Sequence, residues 1–159
     1  MTFRSHMPRA LAEAEAAAAR GETPVGAVLS APDGTVLAAD GNRVRELSDP
    51  TAHAEILVIR AAAARLGSER LTGCALTVTL EPCPMCAGAI AHARIARLYY
   101  GADDPKGGGV AHGPRVFAQP TCHHRPEVYS EIDAAASARL LRQFFAARRE
   151  TVSGAVDAD

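Results

Sequence analysis

Helical and strand patterns alternate along the 159 residues, and one hairpin signal lies near the start. No internal repeat, coiled-coil heptad or linker composition interrupts them. Together these observations predict the α/β class: a three-layer α/β/α sandwich around a mixed, roughly five-stranded sheet. Met7 to Arg20 is Ala-rich, the composition of highest helix propensity, and Gly21 supplies a C-terminal stop. Val25 to Ser30 and Thr35 to Ala39 are short apolar runs around Pro32-Asp33-Gly34, whose residues favour a turn, so the pair reads as a hairpin. Ala52 to Leu66 is a second helix closed by Gly67. In Cys74 to Leu80 the alternation of Leu76, Val78 and Leu80 marks a strand that delivers Glu81-Pro82-Cys83 at its C-terminal end. Pro84 to Ala93 reads as a third helix and Ile95 to Tyr100 as a strand. Asp103 to His124 is rich in Gly and Pro and reads as a long ordered loop, the kind of segment that carries function. Asp133 caps a final helix to about Thr151. Residues 1–151 are thus expected to form one domain, with 152–159 a flexible C-terminal tail.

Composition limits the functional classes. Apolar residues make up 48% of the chain, enough for a proper core, yet no apolar run approaches the ~18 residues that span a bilayer. No apolar stretch follows the first basic residues, so no signal peptide and no membrane association are expected. A net charge of −1 does not mark a general nucleic-acid binder; any such binding must use a local patch. Of the four cysteines, Cys74 and Cys122 read as reduced, partly buried thiols of a cytoplasmic protein.

The other two cysteines belong to the chemistry. His53-Ala54-Glu55 is followed by Pro82-Cys83-Pro84-Met85-Cys86. Structural zinc sites close the coordination sphere with four protein ligands, whereas hydrolytic sites use three and leave a position to water. Here His53, Cys83 and Cys86 make three, and two thiolates neutralise a dication. Cys83 and Cys86 are three apart, so a helix starting near Pro84 turns both sulfurs to one face, and its positive end favours thiolates. His53 and Glu55 are two apart and can share a pocket only at a helix's first turn, for which Asp49-Pro50-Thr51 reads as the start. Taken singly, the CxxC could be a redox dithiol or half of a structural zinc site, and the HxE an ordinary helix start. In this order, with Pro before the first Cys, they match the known deaminase signature H-x-E…P-C-x-x-C, with Glu55 as the proton carrier and not a ligand.

With those residues goes a wider likeness. The chain resembles the cytidine deaminase-like superfamily, and within it the bacterial enzymes that make inosine at the tRNA wobble position. The likeness covers Thr23 to Val28, Asn42, Asp49 to Ile56, Thr79 to Ile90, Ala93-Arg94-Ile95, Gly101-Ala102 with Asp104 and Lys106, and Phe144-Phe145 with Arg148-Arg149. It implies one zinc per chain on His53, Cys83 and Cys86, with Glu55 moving protons between water and a flipped-out adenine. It also implies Asn42 on the base edge, Val25 as a pocket wall, Asp104 and Lys106 near a tRNA anticodon stem-loop, and a homodimer. In isolation Asn42 is equally a turn residue, Val25 core, and Asp104 and Lys106 solvated loop charges.

The final helix bears on substrate. At about 100° per residue Leu140, Leu141 and Phe144 share a core-facing stripe, Arg139, Arg142 and Arg149 gather on another side, and Phe145 falls at the boundary. Composition alone makes this a solvated basic face; under the resemblance Phe145 stacks a base and Arg149 meets phosphate. Gly108 to Pro126 departs from the bacterial pattern. Its Cys122-His123-His124 is a poor second metal site, because adjacent histidines cannot both easily reach one ion beside that Cys. The expected activity is zinc-dependent deamination of adenosine to inosine in a tRNA anticodon. The alternatives are a deaminase of free guanine, cytosine or adenine bases or nucleosides, and an inactive zinc-stabilised RNA-binding module, against which the presence of Glu55 argues.

Overall fold

A computed structural model describes residues 4–156. Ten elements follow one another: α1 (Met7–Ala19), β1 (Gly26–Ser30), β2 (Val36–Gly41), α2 (Ala54–Leu66), β3 (Ala75–Leu80), α3 (Pro84–His92), β4 (Arg97–Ala102), a 3-10 turn (Val116–Ala118), β5 (Glu127–Tyr129) and α4 (Ala134–Val156). The sheet order is β2-β1-β3-β4-β5, with β1 antiparallel to both its neighbours and β3, β4 and β5 parallel. The sheet is therefore mixed and five-stranded, with four of its strands where the residue pattern places them.

Alternate residues of the strands serve two layers. Ala27, Leu29, Leu76, Val78, Leu98 and Tyr100 join one core with Val58 of α2 and Ile90 of α3. Val28 instead packs with Met7 and Ala10 of α1 on the opposite face, where α4 lies against β4 and α1. The parallel step from β3 to β4 runs through α3, so both strands end on the same side of the sheet as the start of α3.

α1 packs directly against the main chain of β1 because residue 26 has no side chain. A Cβ there would overlap the Ala10 carbonyl oxygen and lie 2.6 Å from the Ala14 nitrogen. Gly26→Ala is accordingly expected to destabilise the fold by about 1–3 kcal/mol through overpacking. A melting curve superimposable on the parent's would show that α1 can lift off without cost.

The structure corrects several boundaries. α2 begins at Ala54 and not at Ala52, because the Asp49 carboxylate accepts the Thr51 amide (2.8 Å) and hydroxyl (2.7 Å) and winds 49–53 into a turn. β4 starts at Arg97, two residues later than the pattern suggests, after Arg94 takes a positive φ of 62° and the Ala96 amide turns to the Cys74 carbonyl. Strand β5 lies in a stretch that shows no strand pattern. Asp133 does not take an extended cap conformation; its φ is 52°, and its main-chain carbonyl accepts the amides of Ala136 and Ser137. α4 runs past Thr151 to Val156, and 157–159 of the expected tail lie outside the described residues. Among the described residues no helix is long and apolar enough to cross a membrane.

Candidate active site

Two helix N-termini converge at the C-terminal end of β3. His53 is the residue immediately before α2, in extended backbone (φ −70°, ψ 152°), and Cys83 holds the same position before α3 (φ −69°, ψ 170°). Pro84 opens α3, where a missing N–H costs nothing, and Cys86 follows in its first turn, fully buried. The His53 Nδ1 atom lies 3.6 Å from Cys83 Sγ and 3.5 Å from Cys86 Sγ. Tetrahedral zinc with bonds of about 2.0–2.3 Å requires ligand atoms roughly 3.6 Å apart, which both His53–Cys distances meet, and all three donors lie within 4.8 Å of one another.

Their protonation points the same way. The hydrogen bond from Cys86 lowers the Cys83 thiol to about 4 against the opposing effect of burial, with His53 adding to the lowering. The same bond to Cys83, and then burial, pushes Cys86 up. Its bond to Cys83 holds His53 above the usual imidazole range. The Cys83 sulfur thus favours the thiolate form that a metal needs, and binding a dication would displace the proton held by Cys86. Glu55, on the first turn of α2 and 3% exposed, is not one of this donor set. Burial raises its pKa.

The cluster opens into a cavity of about 460 Å³, within the range of small-ligand sites. His53, Glu55 and Cys83 line it together with Val25, Asn42 and Asp104. Among the described residues, Lys106, Phe145 and Arg149 do not line it, and all three are exposed. Arg148 reaches it instead, its guanidinium 5.4 Å over the Phe144 ring, while Phe145 meets Phe144 edge-on with centroids 5.5 Å apart.

Two cavity residues escape any reading of spacing. Glu22 is buried and accepts the Asn42 side-chain amide (3.1 Å) and the main-chain amides of Arg45 (3.2 Å) and Glu46 (2.8 Å). Glu81, also buried, accepts the amides of Asp104 (3.1 Å), Val110 (3.2 Å), Ala111 (3.1 Å) and His112 (3.2 Å), and its Oε1 atom lies 2.7 Å from His112 Nδ1. Burial alone would raise the Glu81 pKa, but the Asp104 amide and the His112 side chain hold it below the usual carboxylate range. The Gly-rich segment beyond β4 is thereby tied to the metal-binding strand end. Further along, the Cys122 thiol donates to the His124 carbonyl (3.1 Å) and His124 Nε2 bonds the Ile95 carbonyl (2.6 Å).

Comparison with known proteins agrees with this geometry. The cytidine and deoxycytidylate deaminase zinc-binding region matches residues 2–102. The chain belongs to that deaminase family. The deaminase is 61% identical over 150 residues to the tRNA-specific adenosine deaminase of Agrobacterium fabrum, covering 94% of this chain and 98% of that protein. It is 44% identical over 140 residues to the tRNA-specific adenosine deaminase of Rickettsia bellii, covering 87% and 97%. A structure solved in work on A-to-I editing by tRNA:A34 deaminases at the wobble position of transfer RNA superposes with a TM-score of 0.85 at 61% identity, covering 87% of this chain and all of that one (100%). The deaminase is a zinc enzyme of this α/β fold.

Proposed function

We propose that the deaminase converts adenosine to inosine at the wobble position of a tRNA anticodon, acting as a cytoplasmic homodimer with one zinc per chain. The observation that carries the chemistry is the buried Glu55 carboxylate beside three converging donors, at a cavity large enough to admit a base. His53, Cys83 and Cys86 hold the zinc, which when bound supplies the Lewis acidity that activates water near neutral pH. Glu55 takes a proton from the attacking water and passes protons to the ring nitrogen and the departing ammonia. Its burial, by raising its pKa, suits it to hold a proton between those two transfers. Asn42 reads the purine edge, since an amide both donates and accepts, and Val25 forms a wall.

The substrate assignment is supported by the 61% identity to a protein named for tRNA-specific adenosine deamination. A base inside a duplex cannot enter such a cavity, whereas a loop nucleotide is already unstacked and its neighbours add binding energy. Contacts with those neighbours are assigned to Asp104 at the cavity wall, and on family likeness to Lys106, Phe145 and Arg149, which are exposed outside it. The homodimer rests on family likeness.

A stem-loop with adenine at the wobble position, compared with free adenosine, guanine and cytosine, tests the assignment through inosine formation and ammonia release. Strong preference for the stem-loop is expected, and replacing Phe145 and Arg149 together by Ala should weaken its processing by about 1–3 kcal/mol without changing zinc content. Equal turnover of free guanine or cytosine, unaffected by that pair, would move the assignment to small-molecule deaminases. A solution mass of one chain would remove the dimer.

A further inference from the structure

The Asn42 side chain has two faces of similar shape and opposite hydrogen-bonding character, and something must decide which one a bound base meets. The decision lies outside Asn42. Its main chain is fixed, with the amide on the Val25 carbonyl (3.0 Å) and the carbonyl taking the Arg20 guanidinium (3.2 Å). Beyond its Cβ the amide nitrogen rests 3.1 Å from Glu22 Oε2, and Glu22 is 2% exposed. A carboxylate only accepts, so the reversed amide would set oxygen against oxygen in a buried place, at the cost of an unpaired buried acceptor. Glu22 is itself immobilised by the main-chain amides of Arg45 and Glu46 on its two oxygens. Both side chains line the cavity that holds Glu55.

We propose that Glu22 is a positioning residue that sets which face Asn42 shows the substrate: it binds one Asn42 N–H, leaving the carbonyl oxygen and the second N–H for the purine edge. This rests on the reading of Asn42 as a base contact. Glu22 does not touch the reacting atoms. Its effect reaches the base through Asn42 alone, and that restriction separates it from a residue that merely holds the fold.

Glu22→Gln is the informative change, because it keeps shape and removes the acceptor-only character. The Gln oxygen can keep the Glu46 amide, which puts its NH2 beside Asn42 and rewards the reversed Asn42 amide, while the Arg45 amide loses its acceptor. With zinc-loaded full-length protein and the wobble-adenine stem-loop, Glu22→Gln is expected to lower kcat/KM by about tenfold, the worth of one well-placed hydrogen bond. In an Asn42→Ala background the same substitution should change kcat/KM by less than about twofold, since contacting residues couple and independent ones add. Zinc content should match the parent's in each case, and any fall in melting temperature from the lost main-chain contact should be the same in both backgrounds. An equal loss from Glu22→Gln in both backgrounds overturns the proposal and makes Glu22 purely structural. If Asn42→Ala alone leaves kcat/KM unchanged, Asn42 does not read the base and the proposal falls, while inosine formation on the stem-loop would leave the proposed function standing. Should Glu22→Gln melt early, Glu22→Asp, which keeps the charge and shortens its reach, replaces it in the same cycle: a loss confined to the Asn42 background supports the proposal, and an equal loss in both overturns it.

Discussion

Replacing Glu55 by Gln is expected to leave zinc content and fold intact while lowering turnover at least about 10²-fold, the range general acid–base catalysis contributes. The amide has the carboxylate's size and cannot take up the water proton. It sits where the carboxylate is 3% exposed and where burial disfavours charge, so the melting temperature should not drop. Metal analysis and single-turnover inosine formation read the two halves of this expectation separately. A variant that lost its zinc would make Glu55 a ligand and overturn its assignment as the proton carrier. Near-parental turnover would be equally damaging, since the cavity's other buried carboxylates, Glu22 and Glu81, are committed to main-chain amides.

Cys83→Ala should remove both metal and activity. The donors at 3.5 and 3.6 Å form two edges of a tetrahedron, and a site left with His53 and Cys86 alone offers one thiolate and one imidazole to the dication. Structural zinc sites bind with about 10–16 kcal/mol, so losing one of three ligands should take occupancy from about one zinc per chain to near none. Because ligands that bind only the folded state stabilise it, the variant should also lose the rise in melting temperature that zinc gives the parent. Full activity after complete chelation of the parent, or two tightly bound zincs per chain, would sink the single-site reading.

The ligand motif was legible because its chemistry depends on local spacing: His53 with Glu55, and Cys83 with Cys86, are each set by one helix start. Strands β1 to β4 were legible because each is a short apolar run bounded by turn residues, and in β3 the alternation of Leu76 and Val78 picks out the side chains that enter one core. β5 was not, since Glu127, Val128 and Tyr129 are all exposed and no alternation marks a three-residue edge strand. Glu22 and Glu81 were missed for another reason. Most of their partners are main-chain N–H groups on distant segments, and a main-chain amide leaves no trace in the sequence. On α4 the 100° arithmetic groups Leu140, Leu141 and Phe144, which are half-buried, but cannot say which residue the packing on β4 turns to the cavity; it is Arg148, and not Phe145 or Arg149, that reaches it.

The Glu81 tether has a consequence for how this enzyme can change. A carboxylate that grips the amides of 104, 110, 111 and 112 reads the course of the chain and not the identity of most side chains along it. Side chains such as Ala111 can therefore be exchanged with the anchor intact, while Gly109, where a Cβ would come 2.6 Å from the Pro84 nitrogen, cannot. The segment is free to drift in sequence while its main chain stays attached at the end of β3. Asp104 and Gly107, where it meets the cavity, keep their place through such drift.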